Sequence, residues 1–160
     1  FHHFATKDEL YREALQGVLA ELGSLVSSGL GDGDGATNFR ERFAQSTRAI
    51  QEYFGKNPVA ARLLLREFVD GGNALAQAGE AVDGLLKTSQ QVLEQAMQAG
   101  IIPKQDTRML VMSTAGIHLL FFALPEVTSR LFGADVFGAD LVQARCDAAL
   151  EHVRRVIGAA

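Results

Sequence analysis

Apolar residues along this 160-residue chain recur at intervals of three and four, the spacing of one helix face, and no useful stretch alternates with a period of two. The pattern predicts an all-α fold. Its first helix starts at Thr6-Lys7-Asp8-Glu9, a capping box in which the Thr6 oxygen accepts from the Glu9 amide and Glu9 reaches back to the Thr6 amide. Leu10, Tyr11, Ala14, Leu15, Val18, Leu19 and Leu22 form its stripe. The glycine-rich segment SSGLGDGDGAT, residues 27–37, reads as a loop. A second helix carries Phe39, Phe43, Thr47, Ile50 and Phe54 and stops near Gly55-Lys56-Asn57-Pro58, where proline starts a third over 58–70.

After Gly71-Gly72 one long helix is expected to run to about Ala99, closed by Gly100 and kept from resuming by Pro103. A fifth helix, from about Asp106 to Leu124 and ended by Pro125, is almost uncharged. It falls short of the roughly 20 apolar residues a membrane span needs and contains Ser113, Thr114, Gly116 and His118. It reads instead as a helix covered by its own domain on one face and by a partner on the other. The last helix, about Gly138 to Ile157, puts Val142, Cys146, Ala149, Val153 and Val156 on one face and charged residues mostly on the other.

With 48% apolar and 21% charged residues the chain can bury a core of one domain, which argues against disorder. A formal charge of -4 does not suit nucleic-acid binding through the net field, so any such role is local. The single cysteine, Cys146, forms neither an internal disulfide nor a thiolate cluster and reads as a small buried hydrophobe in a reducing cytoplasm.

Several motifs fail on inspection. A calcium loop starting at Asp32 would offer Ala36, Thr37 and Phe43 at the fifth, sixth and twelfth positions, so its oxygen cage is incomplete. Gly31-Asp32-Gly33-Asp34-Gly35-Ala36 fits a loose dinucleotide turn, but no strand precedes it. His2, His3, His118 and His152 lack metal-ligand spacing, and no serine sits in a nucleophile elbow, so no metal, cofactor or catalytic residue is expected. His118 stands apart because it lies in the most apolar helix. It reads first as a core histidine satisfied by a neighbour and second as a polar anchor among apolar walls. Arg62 and Arg66, one turn apart, read as a solvated face, or as partners for a ligand carboxylate.

The opening segment FHHFATKDELYREAL resembles the junction of TetR-family transcriptional regulators, in which an aromatic, aromatic, His, Phe pattern ends the recognition helix and a short turn, Lys, acids and Leu follow. Phe1, His2, His3, Phe4, Lys7, Glu9 and Leu10 fall on that pattern. Phe1 departs from it: the family usually has Tyr there, whose hydroxyl commonly touches a DNA phosphate.

The resemblance implies that residues 1–5 end a DNA-recognition helix whose remainder precedes Phe1, and that 6–160 form a ligand-binding and dimerisation domain. Lys7, at a helix N-terminus, and His3 would contact DNA phosphates. The final two helices would pair with a second copy through Phe121, Leu131, Phe132, Val142, Cys146, Ala149 and Val153. Phe43, Thr47, Ile50, Phe54, Leu64, Phe68, Leu86, Gln90, Thr114, His118 and Phe122 would line a pocket for a small apolar effector. The expected function is a ligand-responsive regulator, a homodimeric repressor that binds operator DNA and no membrane. Two alternatives stay open: a stand-alone helical binding module, and a small helical enzyme pairing His118 with Glu67 or Glu80.

Overall fold

The computed structural model describes residues 4–30 and 36–159. Among them every regular element is helical: α1 (Lys7–Ser27), α2 (Ala36–Lys56), α3 (Pro58–Val69), α4 (Asn73–Gln77), α5 (Gly79–Gln98), α6 (Thr107–Ala123), α7 (Pro125–Phe132) and α8 (Ala139–Ile157). The all-α expectation therefore holds.

Local chemistry explains the starts. Thr6 Oγ1 accepts from the Glu9 amide at 3.1 Å, as expected of the capping box. The return bond differs, because Glu9 Oε2 accepts from the Ala5 amide at 2.9 Å, one residue earlier than expected. Asp106 caps α6 by accepting from the Arg108 amide at 2.9 Å. Pro58 and Pro125 each occupy the first turn of a helix, where a missing N–H costs nothing.

Two elements depart from expectation. The long helix after Gly71-Gly72 is split, because the backbone turns at Ala78 (φ -92°, ψ 23°) between the five-residue α4 and α5. Gly79 weakens the helix at that point, and the start of α4 is fixed independently by the buried Glu67 carboxylate, which accepts from the Ala74 and Leu75 amides. The second departure is α7, a helix where only a connection was expected. Pro125 stops α6 and nucleates a new helix, and Thr128 Oγ1 ties the bend by donating to the Phe121 carbonyl at 2.9 Å.

The core has two parts. Leu15, Val18, Leu19 and Leu22 of α1 pack with Ile50 and Phe54 of α2, Ala60, Ala61 and Leu64 of α3, and Phe122 of α6. A second cluster joins Phe39 of α2, Val92, Leu93 and Ala96 of α5, Leu110 and Val111 of α6, and Val153 and Ile157 of α8. Helix α6 contributes to both clusters, packing against α3 on one side and α8 on the other, while α1 lies along α5 and α2 along α8. Leu10, expected in the α1 stripe, is half exposed. No single helix among the described residues is long and apolar enough to cross a bilayer; α6 and α7 pass that test only as a pair, and the pair is bent by 79°.

The α2 and α8 seam leaves no spare room at Gly55, where an added Cβ would come within 2.8 Å of Val142 Cγ1. Valine is stiff at χ1 and cannot swing aside cheaply. Gly55→Ala should therefore destabilise the fold by about 1–3 kcal/mol through overpacking, outweighing a helix-propensity gain of at most about 1 kcal/mol near the helix end. Urea unfolding of both proteins measures the difference, and an equal or raised midpoint contradicts this packing.

Candidate functional site

The most constrained polar group in the molecule joins α2, α6 and α8. Gln51 follows Thr47 by one turn on the inward face of α2 and is fully buried. Its Nε2 lies 2.8 Å from His118 Nδ1 and also donates to the His118 carbonyl at 3.3 Å. Its Oε1 accepts from Arg145 Nε at 3.1 Å. That acceptance fixes the amide orientation, so Nε2 is the donor toward His118 and the imidazole is neutral, with its own proton on Nε2.

Arg145 completes the arrangement from α8. A second guanidinium nitrogen donates to the Ile117 carbonyl, and the group lies 4.9 Å from the centre of the Phe121 ring. No carboxylate among the described residues forms an ion pair with it. Burial lowers its pKa. The His118 pKa falls to about 4, first because burial penalises the imidazolium and second because the Arg145 charge repels it.

An aromatic chain meets this node where Phe121 lies against Arg145. Phe122 lies 6.3 Å from Phe54, 6.1 Å from Phe137 and 5.0 Å from Phe121, and Phe121 lies 5.7 Å from Phe132, all between ring centres.

Of the expected pocket residues, Ile50, Phe54, Leu64 and Phe122 share the first core cluster, and His118 and the buried Thr47 lie on the helices that border it. Others are not brought to them. Phe43 stacks on Phe39 at 5.7 Å in the second cluster. Thr114 turns back on its own helix, donating to the Leu110 and Val111 carbonyls at 2.9 and 3.1 Å. Phe68 is largely exposed. Leu86 and Gln90 line a shallow outer groove of α5 with Asp83, Lys87, Gln91 and Glu94.

The expected interface set also divides. Cys146, Ala149 and Val153 are buried within the chain itself, because the apolar face of α8 is turned toward α2 and α6; they are corrected to core residues. Val142 and Phe121 are half-buried against the first cluster. Leu131, 78% exposed, and Phe132 remain on the surface, with Met109, Met112, Leu120 and Val127.

Lys7 is the exposed first residue of α1, and His3 and the 31–35 segment lie outside the described residues. Arg62 pairs with Glu126 at 3.1 Å and Arg66 with Asp70 at 3.2 Å, both on the surface. Among the described residues no group of three or more His, Cys, Asp or Glu could hold a metal ion. His118 is held by Gln51, while Glu67 is engaged by the amides of α4, so the two are not joined as an acid–base pair. No family model matches the chain, and no curated protein does.

A histidine that is neutral when folded and titrates near its ordinary 6.5 when unfolded favours the fold fully above pH 6.5, and that contribution is lost as pH falls toward about 4. It amounts to roughly 3 kcal/mol. Denaturant unfolding at pH 7 and pH 4.5 should show wild type losing much more stability than His118→Asn over this interval. Parallel pH profiles contradict a buried neutral His118. At constant pH 7, Gln51→Leu removes the donor to His118 and the acceptor of Arg145, with an expected loss of about 2–3 kcal/mol in the same assay.

Proposed function

We propose that this chain is the effector-binding and dimerising part of a ligand-responsive transcriptional regulator of the TetR type, a repressor released from DNA by a small apolar effector. The observation that carries the reading is the outer face of α6 and α7, where Met109, Met112, Leu120, Val127, Leu131 and Phe132 stand exposed together with Ser113, beside the half-buried Gly116. On α6, positions 109, 112, 113, 116 and 120 fall on one side of the helix. Apolar surface of this kind is what a second copy would bury, and a twofold contact would use the same patch twice.

The effector would be received where the aromatic chain meets Gln51 and His118, with rings repacking to admit it. Its polar group would replace one bond of the node, and its apolar body would lie among Ile50, Phe54, Leu64 and Phe122. Helix α1 borders the same cluster through Leu15, Val18, Leu19 and Leu22, so it connects the effector region to its own capped N-terminus at Lys7. A helix-turn-helix joined there would move with it. Two such heads must fit successive major grooves about 34–36 Å apart, and an effector favouring a tilted α1 would shift the population away from that spacing. A coupling of roughly 1–3 kcal/mol changes DNA affinity about 5–150-fold.

Sedimentation velocity at micromolar concentration tests the reading. Wild type should sediment as a dimer, and Met112→Asp with Leu131→Asp should give a monomer of unchanged helical circular dichroism. Native mass spectrometry of the same sample should retain the dimer and reveal any co-purified small molecule by its added mass. A wild-type monomer under both methods removes the proposal.

A further inference from the structure

Arg145 is half-buried, and the hydrogen bonds it makes go to neutral acceptors. Both leave from one edge of the guanidinium: Nε donates to Gln51 Oε1 at 3.1 Å, and Nη2 donates to the Ile117 carbonyl. The outer edge, made of Nη1 and the second Nη2 proton, meets no acceptor among the described residues, and no carboxylate among them pairs with it. That edge is open. The buried side-chain polar atoms left without a partner do not include Nη1, so it reaches solvent.

The chemistry of the edge selects what fits it. Nη1 and Nη2 present two parallel N–H groups, which a carboxylate accepts with both oxygens at once. His118 is neutral because its Nδ1 accepts from Gln51, so the node carries the one charge of Arg145 and matches a single anion. The guanidinium also lies 4.9 Å from the centre of the Phe121 ring. Aromatic surface continues from Phe121 in two directions, inward to Phe122 at 5.0 Å and outward to Phe132 at 5.7 Å, which is 52% exposed. An apolar group attached to the anion therefore has a surface to lie on. The two existing bonds hold the fork in place beforehand, so little side-chain freedom is lost when the anion arrives.

We infer that Arg145 is an anion-recognition residue: its outer edge takes the carboxylate of a small organic monocarboxylate whose apolar part starts on the Phe121 ring. The inference rests on the effector reading above and names the chemical class of that effector. It also refines the reading, since a carboxylate at the outer edge need displace no bond of the node.

Titration of the whole chain at pH 7 with octanoate and with 1-octanol, an uncharged molecule of the same chain length, tests it. Calorimetry should show octanoate binding about tenfold more tightly or better, and octanoate alone should shift the nitrogen-15 resonance of Arg145 Nε. Arg145→Gln should lower octanoate affinity to that of 1-octanol. Should this variant fail to fold, the two probes on wild type still decide. Equal affinities in wild type overturn carboxylate recognition and leave an apolar effector region standing, whereas failure of both probes to bind removes the two together. If octanoate does not bind and Arg145→Gln turns a dimer into a monomer, the carboxylate on Arg145 belongs to a second copy of the chain, which also overturns the inference.

Discussion

A fully buried side-chain amide must find partners for its donors and its acceptor, and in this fold one such amide sets the relative positions of three helices. Gln51 takes a bond from Arg145 on α8 and gives bonds to the ring and carbonyl of His118 on α6. Sliding any of the three helices by one residue would leave at least two of these groups unpaired in a medium where that is costly. The apolar contacts around the node specify proximity, and the amide specifies register. It also holds Arg145 in place with no carboxylate among the described residues paired to it: a neutral oxygen, a carbonyl and an aromatic face share the cation among them.

Helix α6 shows why such a register device is needed. Its sequence is apolar on nearly every side, so hydrophobicity alone gives it no preferred rotation. Leu110, Val111 and Phe122 face inward while Met109, Met112 and Leu120 face out, although the two groups differ little in transfer free energy. His118 distinguishes the faces. Once its ring must meet Gln51, Phe121 and Phe122 are directed into the aromatic chain, and the methionines are left outside.

The helical class was readable from periodicity, as were the Thr6 cap and the boundaries of α6 and α8 to within a residue or two. The division into α4 and α5 was not, because the apolar spacing continues across Ala78 without interruption. The helix breaks at the Ala78 turn before Gly79, while the start of the short α4 is fixed by a carboxylate on α3 that accepts from the amides of Ala74 and Leu75, a contact between residues seven and eight positions apart. The site was half legible. His118 stood out as a polar residue in an apolar helix, while Gln51 and Arg145 passed unnoticed: a glutamine among aromatics and an arginine on an amphipathic helix are ordinary, and only tertiary pairing makes them otherwise. The spacing of Gln51 one turn after Thr47 on the face of Phe43, Ile50 and Phe54 was the available signal. For α8 the spacing shows an apolar face, and only the tertiary structure shows that Cys146, Ala149 and Val153 on it are turned toward α2 and α6, since periodicity reports that a face is covered and not by which helix.

The position of Cys146 gives the molecule a built-in clock. As the sole cysteine, it lies almost wholly enclosed in the α2–α8 seam, its sulfur 4.0 Å from the Arg48 carbonyl, and burial raises its pKa further from the thiolate form. Both enclosure and protonation withhold it from an alkylating reagent until α8 lifts away from α2. The speed at which the thiol is consumed therefore reports how often that seam opens, a measure of breathing taken from the native residue with no label added.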